Sequence, residues 1–181
     1  MSIKKYIGID LDGVLYSIHE DTIRDYNATK ILDVELNQLT QYDLNNVPHY
    51  QQYFMRRICN KDFVKKQNTY IGACAFIENF SNKYHIVFMT SRPLSTAEAT
   101  ITSFFQKGLH HANQSSISFG KDHLTLPYYI EDNPEQVEKF LKKSQTRKVF
   151  LRNQPYNKNA KCRMSSRVIP FTKYDEVFQW L

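Results

Sequence analysis

The sequence is poor in cysteine, with Cys59, Cys74 and Cys162 alone. They are odd in number and share no metal-ligand spacing. That argues against a disulfide framework and a zinc site and predicts a reduced, cytosolic protein. Long hydrophobic runs are missing. No uncharged apolar stretch approaches the ~18 residues of a membrane-spanning helix, so no membrane partner is expected. Met1 to Ile7 holds no apolar core of ~7–15 residues such as a secretory signal needs. There is no internal repeat, low-complexity tract or Gly/Ser linker. Acidic residues are the minority, 18 against 24 Lys plus Arg, which leaves a formal net charge of +6 and a pI near 9.1. Such a balance suits nucleotides, nucleic acid or other phosphates as partners. It equally serves solubility.

What is present is a globular composition. Aromatics reach 14%, with 12 Phe and 12 Tyr, which excludes a disordered chain. A length of 181 residues suffices for one core plus an insertion. Lys4 to Ile9 reads as a strand running into Asp10-Leu11-Asp12-Gly13. From Tyr16 to Tyr70 the chain turns polar and aromatic and lacks the β-branched bursts of buried strands. Helices are expected near His19 to Thr22 and from Pro48 at a first turn, with a break at Leu39 to Leu44. Alternation then returns: helix Ala73 to Phe80, strand His85 to Thr90, and helix Ser95 to Lys107 closed by Gly108. Strand Leu126 to Ile130, helix Pro134 to Lys143, strands Arg147 to Leu151 and Arg167 to Ile169, and helix Tyr174 to Leu181 follow. Strands alternating with helices imply an α/β fold with a parallel sheet covered on both faces. The helical stretch is inserted after its first strand.

Three of the strands end in polar residues: Asp10 and Asp12; Thr90, Ser91 and Arg92; Glu131 and Asp132. In an open parallel sheet, ligands bind beyond the carboxyl ends of the strands, so the three ends meet at one edge. Each alone reads as a turn or a helix cap. Together they gather carboxylates that repel one another, a conflict that a hard divalent cation relieves. Carboxylate, carbonyl and water oxygens suit Mg²⁺, which keeps room for a substrate phosphate. Thr90 and Ser91 offer hydroxyl and backbone donors to phosphate oxygens. Lys121, before the strand at Leu126 to Ile130, adds a positive charge. A nucleophile, charge neutralisation and an acid/base are what phosphoryl transfer requires.

Asp10-Leu11-Asp12-Gly13-Val14 resembles the first motif of the haloacid dehalogenase superfamily in its phosphatase form. His85 to Ser91 resembles the second motif, Lys121 the third and Ile130-Glu131-Asp132-Asn133-Pro134 the fourth. Within the superfamily the chain is similar to the 5′(3′)-deoxyribonucleotidase branch. The insertion after motif one, the Thr90-Ser91 pair and Gln154-Pro155-Tyr156-Asn157 carry that narrower likeness. The resemblance implies a Rossmann-like, doubly wound parallel sheet with a small helical C1-type cap. The core would be 1–15 and 71–181 and the cap 16–70. Asp10 would be nucleophile and Mg²⁺ ligand. Asp12 would be general acid then base, its carbonyl on the metal. Thr90 and Ser91 would bind the phosphoryl group, Lys121 would neutralise it, and Asp132 would ligate Mg²⁺ directly. Glu131 would act through water or orient the site. Ile18, by its place in the family pattern, would join Tyr16 in the substrate pocket.

Two departures stand out. Many nucleotidases carry two Asp where this chain has Glu131-Asp132. Animal deoxyribonucleotidases follow the Thr-Ser pair with Pro, where Arg92 intervenes here before Pro93. Arg92 offers a grip on a phosphate or a nucleic-acid backbone; the alternative is a solvated residue at a helix entry. Most rings of the insertion are expected in its own core. Arg56 and Arg57 read as phosphate contacts or as a solvated helix face. Cys59 and Cys74 read as small core residues and His110-His111 as an exposed loop. Three functions compete: a phosphomonoesterase acting on a nucleoside monophosphate, the same chemistry on a nucleic-acid 3′-phosphate end, and a nucleic-acid-binding module on a retired enzyme fold. The full set of charged motif residues weighs against the last.

Overall fold

The computed structural model describes residues 5–29, 33–111 and 115–180. Met1 to Lys4 and Leu181, at the ends of the expected first strand and last helix, lie outside the described residues. Strand β1 (Lys5–Asp10) is followed by three helices, α1 (Ile18–Asn27), α2 (Tyr50–Ile58) and α3 (Lys61–Lys66). The alternating part comprises α4 (Ala73–Ser81), β2 (Tyr84–Thr90), α5 (Ala97–Gln106), β3 (Ser115–Phe119), β4 (Tyr128–Glu131), α6 (Pro134–Leu141), β5 (Lys148–Arg152), β6 (Val168–Phe171) and α7 (Tyr174–Phe178). The six strands form one sheet in the order β3-β2-β1-β4-β5-β6, parallel throughout. The fold is α/β and Rossmann-like.

Period-2 alternation sorts the strand side chains onto two faces. Ile7, Ile9, Phe88, Ile130 and Phe150 pack with Phe76 and Phe80 of α4, Phe104 of α5 and Val177 of α7. Met89, Tyr129, Val149 and Leu151 pack with Val137 and Phe140 of α6. A third cluster lies within the helical stretch: Ile23, Tyr26, Val34, Leu39, Leu44, Val47 and Tyr50. Tyr156, from beyond β5, joins it. Tyr26 and Tyr50 thus fill that core, as the rings of this stretch were expected to do. The chain enters and leaves the stretch side by side: Ser17 N–H donates to Asn68 O (2.9 Å) and Tyr70 N–H to Leu15 O (2.9 Å).

Three expectations change. β3 was not anticipated, because Ser115-Ser116-Ile117-Ser118-Phe119 is too polar to read as a buried strand; it sits at the sheet edge. The helix expected from Pro48 starts at Tyr50, since His49 before it takes a left-handed conformation (φ 62°). Cys59 is exposed rather than in a core, whereas Cys162 is buried. Among the described residues, no helix is long and apolar enough to cross a membrane.

Candidate active site

In this strand order the chain moves from β1 to one side of the sheet and then back to the other. The crevice beyond the carboxyl ends of β1, β2 and β4 lies at that reversal. β1 delivers Asp10, whose Oδ1 accepts from the Leu11 N–H at 2.8 Å. The chain then turns tightly, with Leu15 and Tyr16 N–H both donating to Leu11 O. Gly13 makes the turn possible. Its φ is +76°, and a Cβ there would collide with the Asp132 carboxylate. A left-handed residue this close to a neighbouring side chain has to be glycine.

β2 delivers Thr90, which is fully buried and does not line the cavity described below. Its Oγ1 accepts from the Arg92 N–H (3.1 Å), and its carbonyl accepts from the Gly120 N–H (2.8 Å). The second bond brings Lys121 into the crevice, directly after β3. Lys121 Nζ lies 2.8 Å from Asp10 Oδ2 and 2.9 Å from Glu131 Oε2, all three side chains being buried. β4 delivers Glu131 and Asp132. Glu131 Oε1 also accepts from the backbone N–H of Asp132 and Asn133. The Asn133 side chain caps α6 on Glu135 N–H (2.9 Å), worth about 1 kcal/mol and holding the Asp132 turn in place. Asp132 receives the Tyr156 hydroxyl, and its carbonyl receives Asn157 Nδ2 (2.8 Å). Gln154 Nε2 donates to Gly13 O (2.9 Å). The Gln-Pro-Tyr-Asn segment therefore braces both acidic loops.

Asp10, Glu131 and Asp132 each present a carboxylate oxygen within 4.8 Å of the others. Burial, then the Glu131 charge, pushes the Asp10 carboxyl well above its usual range, against the pull of Lys121. Burial, then Asp10, pushes Asp132 up to about 7. Burial raises Glu131 too, with Lys121 opposing. Burial alone would lower Lys121, but Asp10 and Glu131 hold it raised and charged. One ammonium thus serves three buried carboxylates. An all-oxygen donor set with this surplus of negative charge fits a hard divalent cation such as Mg²⁺.

Asp12 stands apart from this cluster. Arg92 grips it with one edge of the guanidinium, Nε donating to Oδ2 (2.8 Å) and Nη2 to Oδ1 (2.5 Å). The Arg92 side chain is only 1% exposed, so it is neither a solvated entry residue nor free for phosphate. Tyr16 is fully buried with its ring behind the Arg92 guanidinium. It is placed behind the cavity wall, not on it. Asp10, Asp12, Ser91, Arg92, Lys121 and Asp132 floor a cavity of about 300 Å³. Ile18, His19, Tyr42, Leu44, Phe54, Met55 and Ile58 wall it, with the polar Asp43 and Gln51 among them. Ile18, named with Tyr16 for a substrate pocket, lies on this wall; Tyr42 and Phe54 were among the rings read as core, and His19, Met55 and Ile58 had not been singled out. Phe54 and Ile58 share a face of α2 at i, i+4, a spacing that reads equally as core. Arg57 ion-pairs with Asp25 (2.7 Å) away from this floor.

The family model NT5C, described as 5′ nucleotidase, deoxy (Pyrimidine), cytosolic type C protein, matches residues 4–172. A search of the curated proteins gives no match. Among solved structures, a haloacid dehalogenase-like hydrolase from Streptococcus pneumoniae superposes with a TM-score of 0.63 at 14% identity, over 98% of both chains. A predicted phosphatase from Clostridium acetobutylicum gives 0.60 at 16%, again over 98% of both. The hydrolase YfnB from Bacillus subtilis, whose structure was solved bound to magnesium, gives 0.60 at 11% over 98% of both. At such identities these likenesses concern the fold.

Proposed function

Because the chain belongs to the cytosolic type C family of deoxy (pyrimidine) 5′-nucleotidases, and so is a phosphoric monoester hydrolase on the haloacid dehalogenase fold, we propose that it hydrolyses nucleoside monophosphates through an aspartyl-phosphate. The observation that carries this reading is the Asp10–Lys121–Glu131–Asp132 cluster beneath a cavity with a charged floor and a largely apolar wall. The floor suits a phosphate and the wall a nucleoside.

Asp10, Asp132 and the Asp12 carbonyl would hold Mg²⁺, with Glu131 orienting Lys121. When bound, the cation supplies charge neutralisation for carboxylate and phosphate together. An Asp10 oxygen attacks phosphorus as the P–O bond to the nucleoside breaks. Asp12 gives its proton to the departing oxygen, then takes one from the water that opens the aspartyl-phosphate. Ser91 and Lys121 hold the phosphoryl oxygens. Residues 16–70 act as a cap over the core of 1–15 and 71–181, excluding bulk water from the reaction. The setting is the cytoplasm.

A second reading, the end of a nucleic-acid strand, has one observation of its own. A groove of about 440 Å³ shares Ser91, Arg92 and Lys121 with the cavity and is lined further by His123 and Lys139, where Lys139 suits a strand's phosphate.

The test is phosphate release from 5′- and 3′-(deoxy)nucleoside monophosphates with Mg²⁺ and with EDTA, beside a 3′-phosphorylated oligonucleotide. Mg²⁺-dependent release from mononucleotides is expected, and release from the oligonucleotide alone would move the function to strand ends. Asp10→Asn should keep the fold and lose turnover. Full turnover by that variant would rule out the covalent route.

A further inference from the structure

Arg92 had two readings in sequence, a phosphate grip and a solvated residue, and its surroundings fit neither. We propose that Arg92 is a positioning residue that holds the Asp12 carboxylate at the angle from which it exchanges a proton with the leaving oxygen. This rests on the reading of Asp12 as the acid/base given above.

A guanidinium has five N–H donors in a rigid fork. Here Nε and Nη2 take the two oxygens of Asp12 (2.8 and 2.5 Å). Nη1 donates to Thr100 Oγ1 (3.3 Å), and Nη2 also donates to Gln67 Oε1. The Arg92 Cζ lies 4.8 Å from the centre of the Tyr16 ring. With four donor contacts spent on the protein, little capacity is left for a substrate phosphate. The partners come from separate places: the turn after β1, helix α5, and the strand of chain returning from α3. Arg92 is thus pinned from several sides, and it pins Asp12 in turn. Asp12, unlike its partner, keeps part of its side chain exposed (23%) on the cavity floor. One side of the carboxylate is fixed and the other is open to a substrate.

A positioning role has a signature that a phosphate ligand lacks. Proton donation matters where the departing group is a poor one, such as the alkoxide of a nucleoside, and little where it is a stabilised phenolate. The experiment measures kcat/KM for a nucleoside monophosphate and for 4-nitrophenyl phosphate, in the wild type, Arg92→Gln, Arg92→Lys and Gln67→Met. The inhibition constant of inorganic phosphate is measured beside them. For Arg92→Gln, kcat/KM should fall about 100-fold on the nucleotide but less than about tenfold on the aryl ester, with phosphate inhibition unchanged. Arg92→Lys should not restore the nucleotide reaction, because an ammonium cannot make the two-point contact. Gln67→Met should shift the ratio of the two substrates the same way by a smaller factor, and it decides the matter if the Arg92 variants do not fold. Equal losses on both esters, weaker phosphate inhibition, or rescue by lysine would overturn the proposal. A wild type that hydrolyses neither ester would overturn the proposed function, and this role with it.

Discussion

At the scale of single residues, His19 carries a clean electrostatic consequence. It is 5% exposed, stacks on Phe54, and its buried Nδ1 has no hydrogen-bond partner among the described residues. Burial lowers its pKa from the ordinary 6.5 to about 4, with Asp12 opposing. The unfolded chain therefore binds more protons than the folded one between these values. The stability that neutral His19 contributes is complete above about 6.5 and is lost as the pH falls towards 4, up to about 3 kcal/mol. His19→Phe preserves the stacking and removes the titration. Unfolding by urea at pH 7.5 and pH 4.5 should show the wild type losing ground to the variant at the lower pH. An unchanged difference would mean that His19 is not buried as described. Nothing in the sequence marks His19 for this role, since one ring on an amphipathic helix has no distinctive spacing. Asp10, Asp12 and Asp132 stood out in the sequence because several strands end in polar residues at one sheet edge, a coincidence that turns and caps explain singly but not together.

At the scale of elements, the segment 154–157 is the one that the sequence marked without explaining. Its side chains reach Gly13, Asp132 and the Arg152 carbonyl, so it ties the loop after β1 to the loop after β4. Removing the Tyr156 hydroxyl leaves Asp132 short of a donor while the ring stays in the aromatic cluster around Tyr42 and His19. Tyr156→Phe should raise the Mg²⁺ concentration for half-maximal activity by about 10–100-fold, the usual cost of losing a partner behind a metal ligand. A variant with unaltered Mg²⁺ dependence would show that the hydroxyl does not orient Asp132. The elements themselves were read well where apolar periodicity was strong, as in β2, α4 and α6. They were misread where polar sequence is held by neighbours. β3 pairs with β2 along its whole length yet carries three serines.

At the scale of the whole molecule, the sheet brings three carboxylates from two strand ends into one buried cluster, at a cost that folding must bear. A cation that binds only the folded chain returns that cost as stability. At pH 7.5, Mg²⁺ at about a hundredfold excess over its Kd should raise the melting temperature by about 5–10 °C relative to EDTA. Asp132→Asn, with one carboxylate fewer, should show a smaller rise. Equal melting of the wild type in Mg²⁺ and EDTA would remove the cation from the account of this site.

Local chemistry is written in the order of residues. The sequence by itself therefore determined the alternation of strands and helices, the insertion after β1, and the acidic, hydroxyl and basic residues that close the strands. What a side chain touches across the fold depends on strand order and helix placement, which no local pattern encodes. Only the tertiary structure decided that Lys121 is shared between Asp10 and Glu131, and that Tyr16 lies behind the cavity wall while His19 and Phe54 line it. It also decided that Arg92, which in sequence could have met either phosphate or water, is turned inward onto Asp12.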